Sequence, residues 1–262
     1  MDNTFVIIDN NGNEQKDIND INDIELLIDR SASMSSMFEQ TIIGVENFVK
    51  DQKKTAKETG ILTNITIKSF DDEIEIMSGF NSQNILDTKD IDHNCLKPRG
   101  GTKLFDIAHD SLLSQKRRHL RWLNNKDNIN KKMCRIFALL TDGYDTQSRL
   151  YNKIHLSNLI NKLKKEGVIC MFLGANQDAI IEGEKLGFDR SNSLTYTPKG
   201  DFAINTFRSL SEQITSVCKG NKETGFTDLQ RSLSLNNEKK KENNYDISNN
   251  ENIFTDLQLK RC

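Results

Sequence analysis

The run Ile136-Phe137-Ala138-Leu139-Leu140 is apolar at every position. A strand with one wet face alternates polar and apolar residues, so a continuous run must be covered on both faces. Val168 to Leu173 repeats the pattern, and Ile24-Glu25-Leu26-Leu27-Ile28 comes close to it. Between these runs the period changes. From Met34 onward, Phe38, Ile42, Val45 and Val49 recur at helical spacing, as do Leu104, Ile107, Ala108 and Leu112, and then Ile154, Leu159 and Leu163. Ile65 to Phe70 and Glu73 to Ile76 alternate with period two around Asp71-Asp72, which reads as a hairpin. Ala179 to Leu186 reads as a short helix, Leu194 to Tyr196 as a short strand and Phe202 to Val217 as a closing helix. Strands alternating with helices predict an α/β fold, with a mostly parallel central sheet and helices on both faces.

The ends of the chain read differently. Residues 1–23 carry Phe5-Val6-Ile7-Ile8, with room for one short strand, and then a polar stretch. Asp2, Asp9, Glu14, Asp17, Asp20 and Asp23 there face only Lys16, which makes an acidic N-terminal arm. Residues 220–262 lose the periodicity and are rich in Asn, Lys, Glu and Ser, so they are expected to form a disordered tail. One pentapeptide occurs twice in that tail, as Phe226-Thr227-Asp228-Leu229-Gln230 and Phe254-Thr255-Asp256-Leu257-Gln258. A repeated docking motif is one reading of it. Hydrophobic content is only 35%, which such polar ends help to explain.

Composition excludes several classes. The net charge of -2 argues against a bulk polycation, and nucleic acid is not an expected partner. Lys116, Arg117, Arg118, Arg121, Lys126, Lys131, Lys132 and Arg135 oppose only Asp127, with Trp122 among them; this reads as a solvated face. No stretch approaches the roughly 18 apolar residues of a membrane span. Met1-Asp2-Asn3-Thr4 lacks the basic start of a signal peptide, and the five cysteines form no C-x-x-C pair. A cytoplasmic protein with reduced thiols is expected.

Chemistry concentrates where strands end. Asp29-Arg30-Ser31-Ala32-Ser33 follows the first buried run, Gly100-Gly101-Thr102 precedes a helix, and Leu140-Thr141-Asp142-Gly143 closes another run. Taken singly, these residues are ordinary helix caps and turn formers. In a parallel sheet, however, all three loops meet at the carboxyl edge, where open α/β folds bind ligands. Two carboxylates and three hydroxyls then converge. An all-oxygen donor set selects a hard cation, Mg²⁺ foremost, with Mn²⁺ or Ca²⁺ also suited. With an Asp acting through water, the ion keeps net positive character and favours one more anionic oxygen from outside.

In this order and context the residues resemble a von Willebrand factor type A (vWA) domain with its metal-ion-dependent adhesion site. The resemblance covers residues 24–219. It is carried by Leu27 to Met34, Gly100 to Asp106, Leu140 to Ser148 and Phe172 to Ala179, and it leans to the intracellular branch found in bacteria, phages and some viruses. It implies a Rossmann-like three-layer fold, with Ser31, Ser33 and Thr102 coordinating through hydroxyls and Asp29 and Asp142 binding directly or through water. Lys103, Tyr144 and Asn176 would form the rim that meets a partner protein, which presents an Asp or Glu to the metal. Ala32 departs from the commoner glycine, and Lys103-Leu104-Phe105 from a smaller helix start. The resemblance implies an interaction module and not an enzyme. The competing reading is a metal-assisted phosphohydrolase using Asp29 and Asp142. Against it, Ser31 stands where haloacid-dehalogenase-like phosphatases carry a second acid, and no Gly-rich phosphate loop is present.

Overall fold

A computed structural model describes residues 20–175, 178–221 and 225–235. Among the described residues seven strands form one sheet: β1 (Ile21–Asp29), β2 (Leu62–Phe70), β3 (Ile74–Ile76), β4 (Gln83–Asn84), β5 (Met133–Thr141), β6 (Val168–Ala175) and β7 (Ser193–Tyr196). The order is β3-β2-β1-β5-β6-β7, with β4 also on β2. The β1–β2, β1–β5, β5–β6 and β6–β7 pairs are parallel, while β3 and β4 run antiparallel to β2.

The described residues also form six α-helices: α1 (Phe38–Thr59), α2 (Leu104–Leu123), α3 (Lys153–Lys165), α4 (Ala179–Leu186), α5 (Asp201–Cys218) and α6 (Asp228–Leu233). Successive side chains of a strand point to opposite faces. Ile24, Leu26 and Ile28 of β1 therefore join Ile136, Ala138 and Leu140 of β5 in one core, under Val45 and Phe48 of α1 and Phe207 and Leu210 of α5. Leu27, Phe137, Leu139 and Phe172 face the other way, under α2, α3 and α4. The result is three layers with a mostly parallel central sheet, as the apolar runs predict. Helices α1 and α5 touch closely at Gly44, where an added Cβ would lie 2.1 Å from Phe207 Cδ2.

Three boundaries differ from the sequence reading. β1 begins at Ile21, so Asn22 and Asp23 lie in the sheet and not in the acidic arm. Their polarity disguised a buried strand because their partners are distant. Arg118 Nη2 donates to Glu25 Oε2 at 2.6 Å and to Asp23 Oδ2 at 3.4 Å, and Lys68 Nζ donates to Glu25 Oε1 at 2.6 Å. Buried charges persist only when paired in this way. Arg118 thus turns inward from the basic stretch. Arg135 also leaves it, being buried with its guanidinium on the Glu166 carbonyl, and Lys116 pairs with Glu166 at 2.6 Å.

The second difference lies before α1, where a 3-10 turn (Ala32–Met37) precedes the helix that the sequence starts at Met34. The third is in the expected tail. Residues 225–235 are folded, with Phe226 buried and Thr227 and Gln230 forming a reciprocal capping box at the start of α6. Gln230 Nε2 donates to Glu212 at 2.8 Å, and Arg231 donates to the Ser193 carbonyl at 2.7 Å. Composition suggested disorder there, but one aromatic anchor and one cap suffice on an existing surface. The second copy of the pentapeptide and the Phe5–Ile8 run lie outside the described residues.

Candidate metal centre

β1 and β5 are neighbours in the sheet, with Ile28 beside Leu140. The chain leaves β1 towards β2 on one side, while β5 starts the series running to the other edge. The two carboxyl ends thus flank the point where the winding reverses, the crevice that doubly wound sheets use for ligands. Asp29 is the last residue of β1, and Asp142 follows the last residue of β5.

The side chains form a linked set. Asp29 Oδ1 accepts the Ser31 backbone N–H at 2.7 Å. Ser31 Oγ and Ser33 Oγ share a hydrogen bond of 3.0 Å, and Ser33 Oγ donates to Asp142 Oδ1 at 2.8 Å. Thr102 is buried. Its hydroxyl and that of Ser33 flank Gly143, at 3.9 and 3.8 Å from the position of an added Cβ there. The structure therefore brings Asp29, Ser31, Ser33, Thr102 and Asp142 to one edge, from three loops. Lys103 lies beside them, partly exposed, with Nζ 3.9 Å from Asp106 Oδ2. Tyr144 is 66% exposed at the mouth. Asn176 lies outside the described residues.

The loops are clipped to one another. Ala32 N–H donates to the Gly100 carbonyl at 3.2 Å, and Thr146 and Gln147 N–H both donate to the Thr102 carbonyl, at 2.8 and 3.0 Å. Gly100 has φ +65, and an added Cβ would lie 2.0 Å from Asp72 Oδ1, so this turn requires glycine.

Several residues that sequence reasoning did not single out hold this geometry. Thr141 Oγ1 donates to Asp29 Oδ2 at 2.6 Å, so both Asp29 oxygens are engaged. Arg30 is buried, pairs with Asp71 at 3.3 Å and with Glu75, and donates to the Cys95 carbonyl at 3.0 Å. Arg99 also binds Asp71, at 2.7 Å. Asp106 accepts the backbone N–H groups of Arg149, Leu150 and Tyr151 at 3.0, 3.0 and 2.7 Å. Burial opposes the Asp106 charge, but these donors outweigh it and hold the carboxyl below its ordinary pKa. The signal for Thr141 and Asp106 was their place inside motif segments; nothing local pointed to their partners.

Electrostatics leave a deficit at the centre. Burial pushes the Asp29 pKa up to about 6, against the hydrogen bonds from Thr141 and Ser31, and the Asp142 charge adds to the rise. Burial also raises Asp142, against its bond from Ser33. Among the described residues no cationic side chain forms an ion pair with either carboxylate, and Arg30 points to Asp71 and Glu75 instead. A buried carboxylate, Asp29, beside a half-buried one, Asp142, with no counter-charge is costly. A hard divalent cation answers that need, and the hydroxyl-rich donor set suits one. Among the described residues no three His, Cys, Asp or Glu side chains are grouped to hold a metal.

No protein-family model matches the sequence, and no curated protein matches it. Among solved structures, the chain is similar to the pilus adhesin SpaC of Lactobacillus rhamnosus GG in its open conformation. Identity is 13%, over 79% of this chain and 31% of that one, with a TM-score of 0.51. It is also similar to the von Willebrand factor type A protein of Catenulispora acidiphila, at 14% identity over 76% and 43% of the two chains, with a TM-score of 0.46. With the SpRpn10 VWA domain it shares 14% identity over 70% of this chain and 94% of that one, with a TM-score of 0.47. This chain spans less than half the length of the first structures it resembles, 47% and 45% of two crystal forms of a mussel byssus matrix protein. At such identities the likeness is one of fold: an open, mostly parallel sheet between two helical layers.

Proposed function

We propose that the chain is a vWA-type interaction module, read from the sequence as residues 24–219, whose Asp29, Ser31, Ser33, Thr102 and Asp142 hold a divalent cation of the Mg²⁺ type. Mn²⁺ and Ca²⁺ suit the same donors. The observation that carries this reading is the buried Asp29 carboxylate beside the half-buried Asp142, with the Ser31–Ser33 hydroxyl pair between them and no cationic partner among the described residues. When bound, the cation supplies a positive docking point for a carboxylate of a partner protein.

The chain's own residues divide the work. Ser31, Ser33 and Thr102 offer neutral oxygens, so the site carries no more negative charge than a divalent ion can balance. Thr141 and the Ser31 N–H orient Asp29. Lys103 and the exposed Tyr144 are the described residues suited to meet the partner, with Asn176 as the third rim residue read from the sequence. A hollow with an apolar floor of Leu104, Phe105, Phe172 and Leu186, edged by Asp145, Lys153 and Glu182, opens beside the rim and suits an aliphatic neighbour of the docking acid.

The hydrolase reading finds less support. Ser31 stands where a second acid would serve an Asp29 nucleophile. The four described cysteines are free and buried, which suits a reducing, cytoplasmic setting. Among the described residues no helix is long and apolar enough to cross a membrane.

Thermal unfolding in Mg²⁺ and in EDTA tests the proposal. Saturation at about 100 times Kd adds about 2.7 kcal/mol. Asp142→Ala removes that gain while the EDTA melting point stays near wild type. A wild-type curve that ignores Mg²⁺, Mn²⁺ and Ca²⁺ alike rejects the metal site. Partner capture that survives EDTA rejects metal-dependent docking.

A further inference from the structure

The carboxyl end of the sheet carries the candidate metal centre; the opposite end carries a surface of a different kind. There the last turns of α2 and the loop that follows expose Leu120 at 48%, Leu123 at 51% and Ile129 at 75%. Arg117, Arg121, Lys126 and Lys131 are exposed among them. No ion pair among the described residues engages these four cations, and Asp127 is the acid nearest to them in sequence. Trp122 is half-buried in the same turn and stacks on His119 with ring centroids 5.9 Å apart. Large exposed aliphatics beside four cations, with only Asp127 as an acid among them, form an amphipathic surface with excess positive charge.

The chain itself enters at this surface. Asp20 N–H donates to the Lys132 carbonyl at 2.9 Å, and Lys132 N–H donates to Asp20 Oδ2 at 2.8 Å. The N-terminal arm before Asp20 therefore starts next to Lys131 and close to Ile129. That arm holds Phe5-Val6-Ile7-Ile8 and the acids Asp2, Asp9, Glu14 and Asp17 against the single Lys16. Apolar quartet and acids match the surface in both respects. Reach is no obstacle, because the stretch between Ile8 and Asp20 spans about 40 Å when extended, at roughly 3.3 Å per residue.

We infer that the N-terminal arm folds back on its own chain. Phe5 to Ile8 cover Leu120, Leu123 and Ile129, and the arm's acids face Arg117, Arg121, Lys126 and Lys131. The arm occupies the amino end of the sheet and leaves the metal edge free. Because attachment at Asp20 makes docking intramolecular, a modest interface suffices.

Trp122 is the sole tryptophan of the chain, so its fluorescence reads this surface directly. The test compares the full chain with the double variant Phe5→Asp, Ile7→Asp under acrylamide quenching, with hydrogen exchange over residues 117–131 in parallel. The expected result is easier quenching, a red-shifted emission and lost protection in the variant, with the unfolding midpoint of the domain retained. Arg117→Glu with Arg121→Glu has the same effect, and Asp2→Lys with Asp9→Lys added to it restores protection. Unchanged Trp122 quenching and exchange in the arm variant overturns the inference. Protection that grows with protein concentration also overturns it, by assigning a second chain. So does protection that appears only on adding anionic phospholipid vesicles or single-stranded RNA.

Discussion

Thr141 donates its hydroxyl proton to Asp29 across 2.6 Å, joining the last residues of two neighbouring parallel strands that lie 112 positions apart in the chain. The bond leaves Asp29 with one fixed orientation at the winding reversal. Thr141→Val keeps the shape of the side chain and removes the donor. Loss of such an outer partner of a ligand weakens metal affinity about 10- to 100-fold. Mn²⁺ titration calorimetry on the variant checks this, with the melting point in EDTA serving as the control for folding.

The raised pKa of Asp29 makes a signed prediction for the metal-free protein. Its folded value of about 6 exceeds the ordinary 3.8, so the folded state binds the proton more tightly than the unfolded chain. Stability is then highest below pH 3.8, as far as this group is concerned, and falls as pH rises through 6. At pH 7 the charged carboxylate costs up to about 3 kcal/mol, at roughly 1.4 kcal/mol per pH unit of displacement. Asp29→Asn in EDTA is expected to be more stable than wild type at pH 7, with the gap closing towards pH 4. Urea unfolding at the two pH values measures it. Added Mg²⁺ reverses the ranking at pH 7.

Asp106 holds the loop after β5 by three backbone N–H groups. Asp106→Ala leaves those donors unsatisfied and costs about 2–4 kcal/mol, on the scale of hydrogen bonds to a charged acceptor. Hydrogen exchange should accelerate at Arg149, Leu150 and Tyr151 before it does in the sheet. Metal affinity should fall as well, since the same loop carries Asp142.

Phe226 is the anchor of α6, 6% exposed. Phe226→Ala should cost about 3 kcal/mol, at the lower end for a buried aromatic because the site lies near the surface. Exchange protection over Asp228–Leu233 should disappear, and the midpoint of chemical unfolding should drop. Phe254→Ala tests whether the second copy of the pentapeptide contributes; the same loss there would mean that both copies dock.

The layer structure was legible because period and continuity are local properties. A run such as Ile136–Leu140 needs no partner to reveal two covered faces, and the repeat of Phe38, Ile42, Val45 and Val49 needs none to reveal a helix. Four of the five oxygen-bearing side chains of the candidate site were legible for a related reason: Asp29, Ser31, Ser33 and Asp142 end or follow a strand run, and parallel strands deliver their ends to one edge. Thr102 was marked instead by the Gly100-Gly101 turn before a helix. Tertiary structure decided the rest. Asp23 and Glu25 look like surface residues until Arg118 and Lys68 arrive from other elements, and Thr141 looks like a strand end until β5 lies beside β1. Arg30, between the candidate ligands Asp29 and Ser31, becomes a buried strut only through Asp71 and Glu75. Side-chain period follows from each strand or helix alone, whereas a hydrogen bond or ion pair depends on strand order, and strand order exists only once the whole sheet has closed.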